Sequence, residues 1–216
     1  MAAKVNAPAK RAYRSPRREE QAQQTRRAIR DAAERLFLEQ GYAATSISAI
    51  AEAAGVATET VYAIFKNKRS LLLEIEDTLI VGDDQPVPLR ERDYVARAIA
   101  TTDAHERSRI LSEGGFAATA RAADFGRVMR SAADTDPEVA AIYHARGEAQ
   151  YGDVRGFVGM VAEVGELALD FDDAVDLVYA LSSIDICNRL VQQRGWTTDR
   201  YVEAMAFLLD RLLVDE

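Results

Sequence analysis

A chain of 216 residues that is 48% hydrophobic and 29% charged is long enough to bury a core without disulfides or metals, and has room for one or two domains. A single cysteine excludes an intramolecular disulfide, and the sequence contains neither an apolar run of about 18 residues nor a secretory signal, so it reads as a cytoplasmic protein that does not enter a membrane. The net charge of -8 argues against a polyanionic partner until it is divided: residues 1–80 hold 13 basic and 10 acidic side chains, and the remainder 14 and 25.

Residues 1–22 start with Lys4, Lys10, Arg11, Arg14, Arg17 and Arg18, interrupted by Pro8 and Pro16 and without apolar period. They read as a flexible basic arm or a solvated terminus, and the two descriptions are compatible. From Thr25 onward, Ile29, Ala32, Ala33, Leu36 and Phe37 recur at helical spacing until Gly41. Ser46 is a candidate cap for a short helix that buries Ile47, Ile50, Ala51 and Ala54 and breaks at Gly55-Val56. A third helix, 58–65, turns Val61 and Phe65 inward, and a fourth, 69–81, follows Lys66-Asn67-Lys68. Residues 82–88, with Pro86 and Pro88, form a linker. Helices are then predicted over 89–102, 105–112, 115–131, 137–163, 171–193 and 198–213, with Pro137 as a start signal and Gly195 as a stop. No strand pattern of useful length occurs, so the fold class is all-α. The divisions are an arm at 1–22, a reading domain at 23–82 that includes the connecting helix, and a helical regulator at 83–216.

Two short helices joined by a Gly-containing turn and backed by a packing helix make a helix-turn-helix. The small residues Ala51, Ala53 and Ala54 allow a close crossing, and Val56 plugs the space between the helices. The stretch from Thr25 to Leu72 resembles the DNA-binding domain of the TetR family of bacterial transcriptional repressors. The matching residues are Ile29, Ala32, Ala33, Phe37, Gly41-Tyr42, Thr45, Ile47, Ile50-Ala51, Ala54-Gly55-Val56, Thr60-Val61-Tyr62, Phe65, Lys68 and Leu71-Leu72. The run Arg189-Leu190-Val191 to Arg194-Gly195-Trp196, followed by a final amphipathic helix, is similar to a subset of that family. Residues 83–170 match only as a generic helical domain.

The resemblance implies a three-helix reading head and a C-terminal ligand-binding and dimerisation domain. It places Thr58, Glu59, Thr60, Tyr62 and Ala63 on the recognition helix, with Ser46, Lys66 and Lys68 around it and Thr25 and Arg26 on the first helix, all against DNA. Ala57 stands where many members have a capping Ser, which shifts the expected cap to Thr58. Glu59 replaces a small residue and Ala63 a polar aromatic one, so the recognition helix lacks Arg and Lys. A carboxylate there can accept from cytosine N4.

A two-helix dimer face per subunit is implied, with Leu177, Leu181, Ile184 and the Leu190-Val191 pair on one stripe and Tyr201, Met205, Leu208, Leu209 and Leu212 on the other. The same stripes can equally bury against their own domain. Candidate pocket residues are Phe116, Phe125, Met129, Tyr143, Phe157, Met160, Tyr179 and Cys187, with His105, Arg121, His144, Asp185 and Asn188 as polar fixers, and each also fits plain core or surface. His144 and Glu148 could share a metal, but with two histidines in the chain they read as a surface pair, and no metal or other cofactor is expected. No nucleophile elbow, HExxH, dinucleotide fingerprint or phosphate loop is present, so the chain does not read as an enzyme. The expected partners are double-stranded DNA, a second copy of the chain and an unidentified small-molecule effector. The reading is a ligand-responsive homodimeric repressor on a palindromic operator. The alternatives are a regulator of the same fold without a ligand, and a helical protein-interaction module with weak DNA binding.

Overall fold

Helix α1 spans Pro16–Gln40 in the computed structural model, which describes residues 16–83 and 91–215. Residues 16–22, expected in the arm, are helical and continuous with the rest of α1; the remainder of the expected arm and most of the 82–88 linker lie outside the described residues. Ile29, Ala33 and Phe37 of α1 are fully buried, one turn apart. Gly41 ends the helix at φ +84°, a left-handed conformation that favours glycine.

Helix α2 (Ile47–Ala54) is capped by Ser46, whose hydroxyl accepts from the Ala49 N–H at 3.1 Å. Gly55, at φ +67°, donates back to Glu52, and Val56 donates to Ala51 at 3.0 Å, which closes the helix in the manner of a Schellman turn. Helix α3 (Thr58–Phe65) starts at Ala57 without a side-chain cap, so the expected shift of capping to Thr58 does not occur: Thr58 is already helical. The axes of α2 and α3 turn through 106°, within the helix-turn-helix range. Asn67 caps α4 (Lys68–Val81) by accepting from the Ser70 N–H at 2.8 Å.

Helix α5 (Asp93–Ala100) starts later than expected. The helices predicted over 105–112 and 115–131 are one, the 32-residue α6 (Ala104–Thr135). Gly114-Gly115 does not break it; a Cβ on Gly114 would lie 2.5 Å from the Tyr94 ring, so this glycine admits α5 rather than ending α6. Helix α7 (Pro137–Ala162) follows at once, capped by the Asp136 carboxylate on the N–H groups of Glu138 and Val139. The predicted 171–193 helix divides into α8 (Phe171–Leu181), α9 (Ile184–Asn188) and a π-helical turn at Arg189–Gln193, because Ser183 opens a new cap on the Asp185 N–H. Helix α10 (Thr198–Leu213) starts on a Thr197 cap. Among the described residues the only extended pairing is one antiparallel bridge, Leu167 with Val214.

Two apolar cores result among the described residues. The first joins α1–α4 to Phe125, Val128, Met129 and Ala132 of α6 and Val139 of α7. The second joins the far half of α6 to α7, α8 and α10 around Phe116, Val158, Val175, Tyr201 and Leu209. The long α6 runs through both, so the reading head is packed onto the body.

Candidate DNA-reading head and regulatory cavity

The head presents α3 outward. Val61 and Phe65 are buried beneath it, Thr58 and Thr60 are half-buried, and Glu59, Tyr62, Ala63 and Lys66 are exposed. Tyr62 keeps 51% of its surface exposed. Ser46 is exposed and engaged as a cap, with its hydroxyl also 2.9 Å from that of Ser48.

Three of the residues expected against DNA are bonded inside the head. Thr25 donates to the Gln21 carbonyl one turn back at 3.0 Å. Arg26 forms a two-point ion pair with Glu74 of α4, its Nε 2.7 Å from Oε1, and its guanidinium lies 4.8 Å from the Phe65 ring centroid. Lys68 donates to the carbonyls of Tyr42 and Thr45 at 2.7 and 2.9 Å. Burial holds the Lys68 ammonium below its ordinary pKa range, partly offset by Asp136. Arg26 thereby touches α3 through Phe65, and Lys68 holds the loop that leads into α2.

Among the described residues, arginine side chains tie helix α4 to the body at three places. Near its start, Arg69 pairs with Asp136 at 3.2 Å and with Glu138. Burial alone would raise the Asp136 carboxyl, but the Val139 N–H and the Arg69 guanidinium outweigh it and hold the group below its ordinary range. Tyr42 donates to the same carboxylate at 3.4 Å, and its hydroxyl is pushed up to about 12, first by burial and then by Asp136. Further along, Arg146 of α7 donates to Glu76 and Asp77 at 2.6 and 2.7 Å. At the C-terminus of α4, Arg121 of α6 donates to the Leu79 and Ile80 carbonyls at 3.1 and 2.7 Å, capping orphan acceptors.

A cavity of about 1080 Å³ lies behind this helix, with walls from α4, α5, α6, α7, α8 and α10. Phe116, Tyr143, His144, Phe157, Met160 and Tyr179 line it. The other expected pocket residues do not. Phe125 and Met129 fill the core shared by head and body, because α6 turns that face toward α1 and α4. Arg121 caps α4. Asp185 pairs with Arg130 at 3.2 Å. Asn188 is buried and donates to the Ala123 carbonyl, and Cys187 is buried with burial raising its thiol. His105 instead faces Asp210 across α6 and α10, Nδ1 to Oδ1 at 2.9 Å. Glu76, Asp77, Tyr94, Ser112 and Arg146 line the cavity and had no sequence signal, since the ion pairs among them join positions some seventy residues apart.

The α8 and α10 stripes also divide. Tyr201 is fully buried and Met205 nearly so within their own protomer, which removes both from the expected dimer face. Leu177 and Leu208 are exposed, Leu181, Ile184 and Leu212 half-buried. Phe207, 64% exposed on α10, was not among the expected residues.

Residues 29–75 match the family model described as bacterial regulatory proteins, tetR family. The regulator TtgR of Pseudomonas putida is 38% identical over 87 residues, covering 40% of this chain and 37% of that one. The regulator AcrR of Shigella flexneri is 48% identical over 56 residues, 26% of each chain. The chain thus spans well under half the length of these curated relatives that it matches. Over nearly its whole length it shares the fold of NalD, the secondary repressor of the MexAB-OprM multidrug efflux pump in Pseudomonas aeruginosa, at TM-score 0.65, 24% identity and coverage of 91% and 99%. A transcriptional regulator from Saccharomonospora viridis in complex with choline superposes at TM-score 0.66 and 19% identity, covering 90% of this chain and 100% of that one.

Proposed function

Because this chain belongs, through residues 29–75, to the tetR family of bacterial regulatory proteins, we propose that it is an effector-responsive transcriptional repressor that binds a palindromic operator as a homodimer. The observation that carries the reading is the double membership of α4. Its Leu71, Leu72 and Ile75 are buried in the core of the reading head, and its Glu76, Asp77 and Ile80 form a wall of the cavity. A molecule entering the cavity acts on the same rigid helix that supports α3.

In the DNA-bound state each subunit lays α3 in a major groove, with Thr58, Glu59, Thr60, Tyr62 and Ala63 toward base edges and phosphates and Lys66 and Lys68 toward the backbone. Two copies paired through the outward faces of α8 and α10 set the reading helices about 34 Å apart, one turn of the duplex. The exposed Leu177, Phe207 and Leu208 support that pairing. An effector that binds better when α4 is tilted lowers DNA affinity by its differential affinity for the two states.

Selection of bound duplexes from a random pool, followed by titration at several salt concentrations, tests this. A two-fold symmetric site with affinity falling steeply in salt is expected. Failure to bind either the selected or random duplex at low salt would favour the interaction-module reading, which the absence of Arg and Lys from Thr58–Phe65 supports.

A further inference from the structure

We propose that the cavity takes an elongated organic monocation with a largely apolar body, and that the Arg146 guanidinium is the internal counter-ion this ligand displaces. The inference rests on the effector-responsive reading and names the chemical class of effector.

Shape comes first. Arg107 near the start of α6 donates to the Met160 carbonyl near the end of α7 at 2.7 Å, so the two helices run antiparallel. The cavity follows them: its α6 wall extends from Leu111 to Arg130 and its α7 wall from Tyr143 to Met160. At ~1.5 Å per residue the slot is roughly 27 Å long. Its two ends differ. Beside α4 it is walled by Glu76, Asp77, Arg130 and Arg146; at the far end by Leu111, Phe116, Phe157, Met160 and Leu209. A long ligand with one polar head fits that gradient. Far down α6, the Ser112 hydroxyl lines the same cavity, 3% exposed and without a hydrogen-bond partner among the described residues. A buried hydroxyl left unpaired is costly, so a polar atom partway along the occupant would add affinity that a plain alkyl chain does not.

Charge selects the sign of the head. Both guanidiniums among the described wall residues are already engaged, Arg146 by Glu76 and Asp77 and Arg130 by Asp185. Glu148 and Asp153 also line the cavity and have no ion-pair partner among the described residues. An anion would have to strip Arg146 from two carboxylates in the presence of two more. A cation meets the surplus carboxylates directly and can take the place of Arg146 at Glu76. Burial raises the Glu76 carboxyl despite Arg146, so a poorly hydrated organic cation is better suited to that position than a strongly hydrated ion. The aromatic rings of Tyr94, Phe116, Tyr143 and Phe157 offer further faces to a cation and an alkyl chain. When Arg146 is displaced, one of the three arginine ties described between α4 and the body is released.

The test uses the full chain with dodecyltrimethylammonium, dodecyl sulfate and dodecyl maltoside, all below their micelle concentrations, by titration calorimetry. The cation is expected to bind at least about tenfold more tightly than the other two, which share its tail. The Glu76→Gln/Asp77→Asn double variant should weaken cation binding by about tenfold or more, whereas Arg146→Gln should tighten it and weaken the sulfate. Opposite effects from two sides of one ion pair are not produced by simple loss of structure. If the double variant loses its helical circular dichroism, Glu148→Gln and Arg146→Gln decide. Equal or tighter binding of sulfate or maltoside, or weaker cation binding in Arg146→Gln, overturns the assignment of charge. Absence of binding by all three overturns this inference as well; the effector-responsive reading fails separately, if no small molecule releases the chain from its selected duplex.

Discussion

The Lys68 ammonium lies 4.2 Å from the centre of the Tyr42 ring while donating to the Tyr42 backbone carbonyl at 2.7 Å. One side chain at the first turn of α4 thereby holds the loop between α1 and α2 from two directions. Replacing Lys68 removes both contacts. Lys68→Met should lose about 1–2 kcal/mol of stability in urea unfolding, since two carbonyls lose a charged donor at a half-buried site. Lys68→Arg should recover part of that loss. Lost DNA affinity with unchanged stability in Lys68→Met would show that the clamp is unimportant.

Asp136 makes the pH dependence of the head–body junction specific. Its folded pKa is lowered, so the stability it contributes is present above its unfolded value and is lost as pH falls through the folded one. Asp136→Asn keeps an N-cap for α7 but cannot titrate. Thermal melts from about pH 7 down to about pH 3 should therefore show a smaller acid loss in the variant than in the parent. Identical slopes would mean that Arg69 and the capped N–H groups do not discriminate between the two protonation states.

Adjacent glycines in α6 provide a paired test of packing against propensity. Replacing glycine in a helix normally gains up to about 1 kcal/mol. A Cβ at Gly114 would meet the Tyr94 ring at 2.5–2.8 Å, whereas at Gly115 nothing lies within 4 Å. Gly115→Ala should stabilise by up to about 1 kcal/mol, and Gly114→Ala should destabilise by about 1–2 kcal/mol because a ring must move. Chemical denaturation of the two variants settles the order.

The same glycines explain why the two halves of the chain differ in legibility. In the head most boundaries are set by one residue with a local job: the positive φ of Gly41 and Gly55, the caps at Ser46 and Asn67; the uncapped start of α3 at Ala57 is the exception. Such signals survive in sequence. At Gly114 the local preference for a break is overridden by a neighbour twenty positions earlier, which sequence does not display. Tyr201, Met205 and Leu208 lie on the same apolar helix, and period alone cannot tell which of them face their own core and which face outward. The cavity is least legible, since Glu76, Asp77 and Arg146 are ordinary surface residues on a helical wheel until α4 and α7 meet.

Phe207 and Leu208 lead to a prediction about assembly. Both are exposed on α10, whereas Leu209 beside them is buried in the protomer core. Leu208→Glu combined with Phe207→Glu should give a folded monomer by light scattering, with unchanged helical dichroism and lost affinity for a two-fold symmetric duplex. A dimer that persists in the double variant would place the interface elsewhere.

Lys66 ends α3 at φ +61° and ψ -47°, where the Asn67 N–H donates to the Phe65 carbonyl at 2.6 Å. This is a tight three-residue turn of the rare, strained sense, held by a residue with a Cβ and an exposed ammonium. Glycine relieves the strain at some cost in unfolded-chain entropy, so Lys66→Gly should change stability by about 1 kcal/mol in the favourable direction. The same substitution removes a positive charge at the end of the recognition helix. If the ammonium neutralises a phosphate, DNA affinity should fall, and the slope of log affinity against log salt should become shallower by about one unit. Stability and DNA affinity then move in opposite directions, which separates a residue kept for its charge from one kept for the turn. A less stable Lys66→Gly variant with an unchanged salt slope would refute both parts, and denaturant melts beside binding isotherms at three salt concentrations distinguish the outcomes.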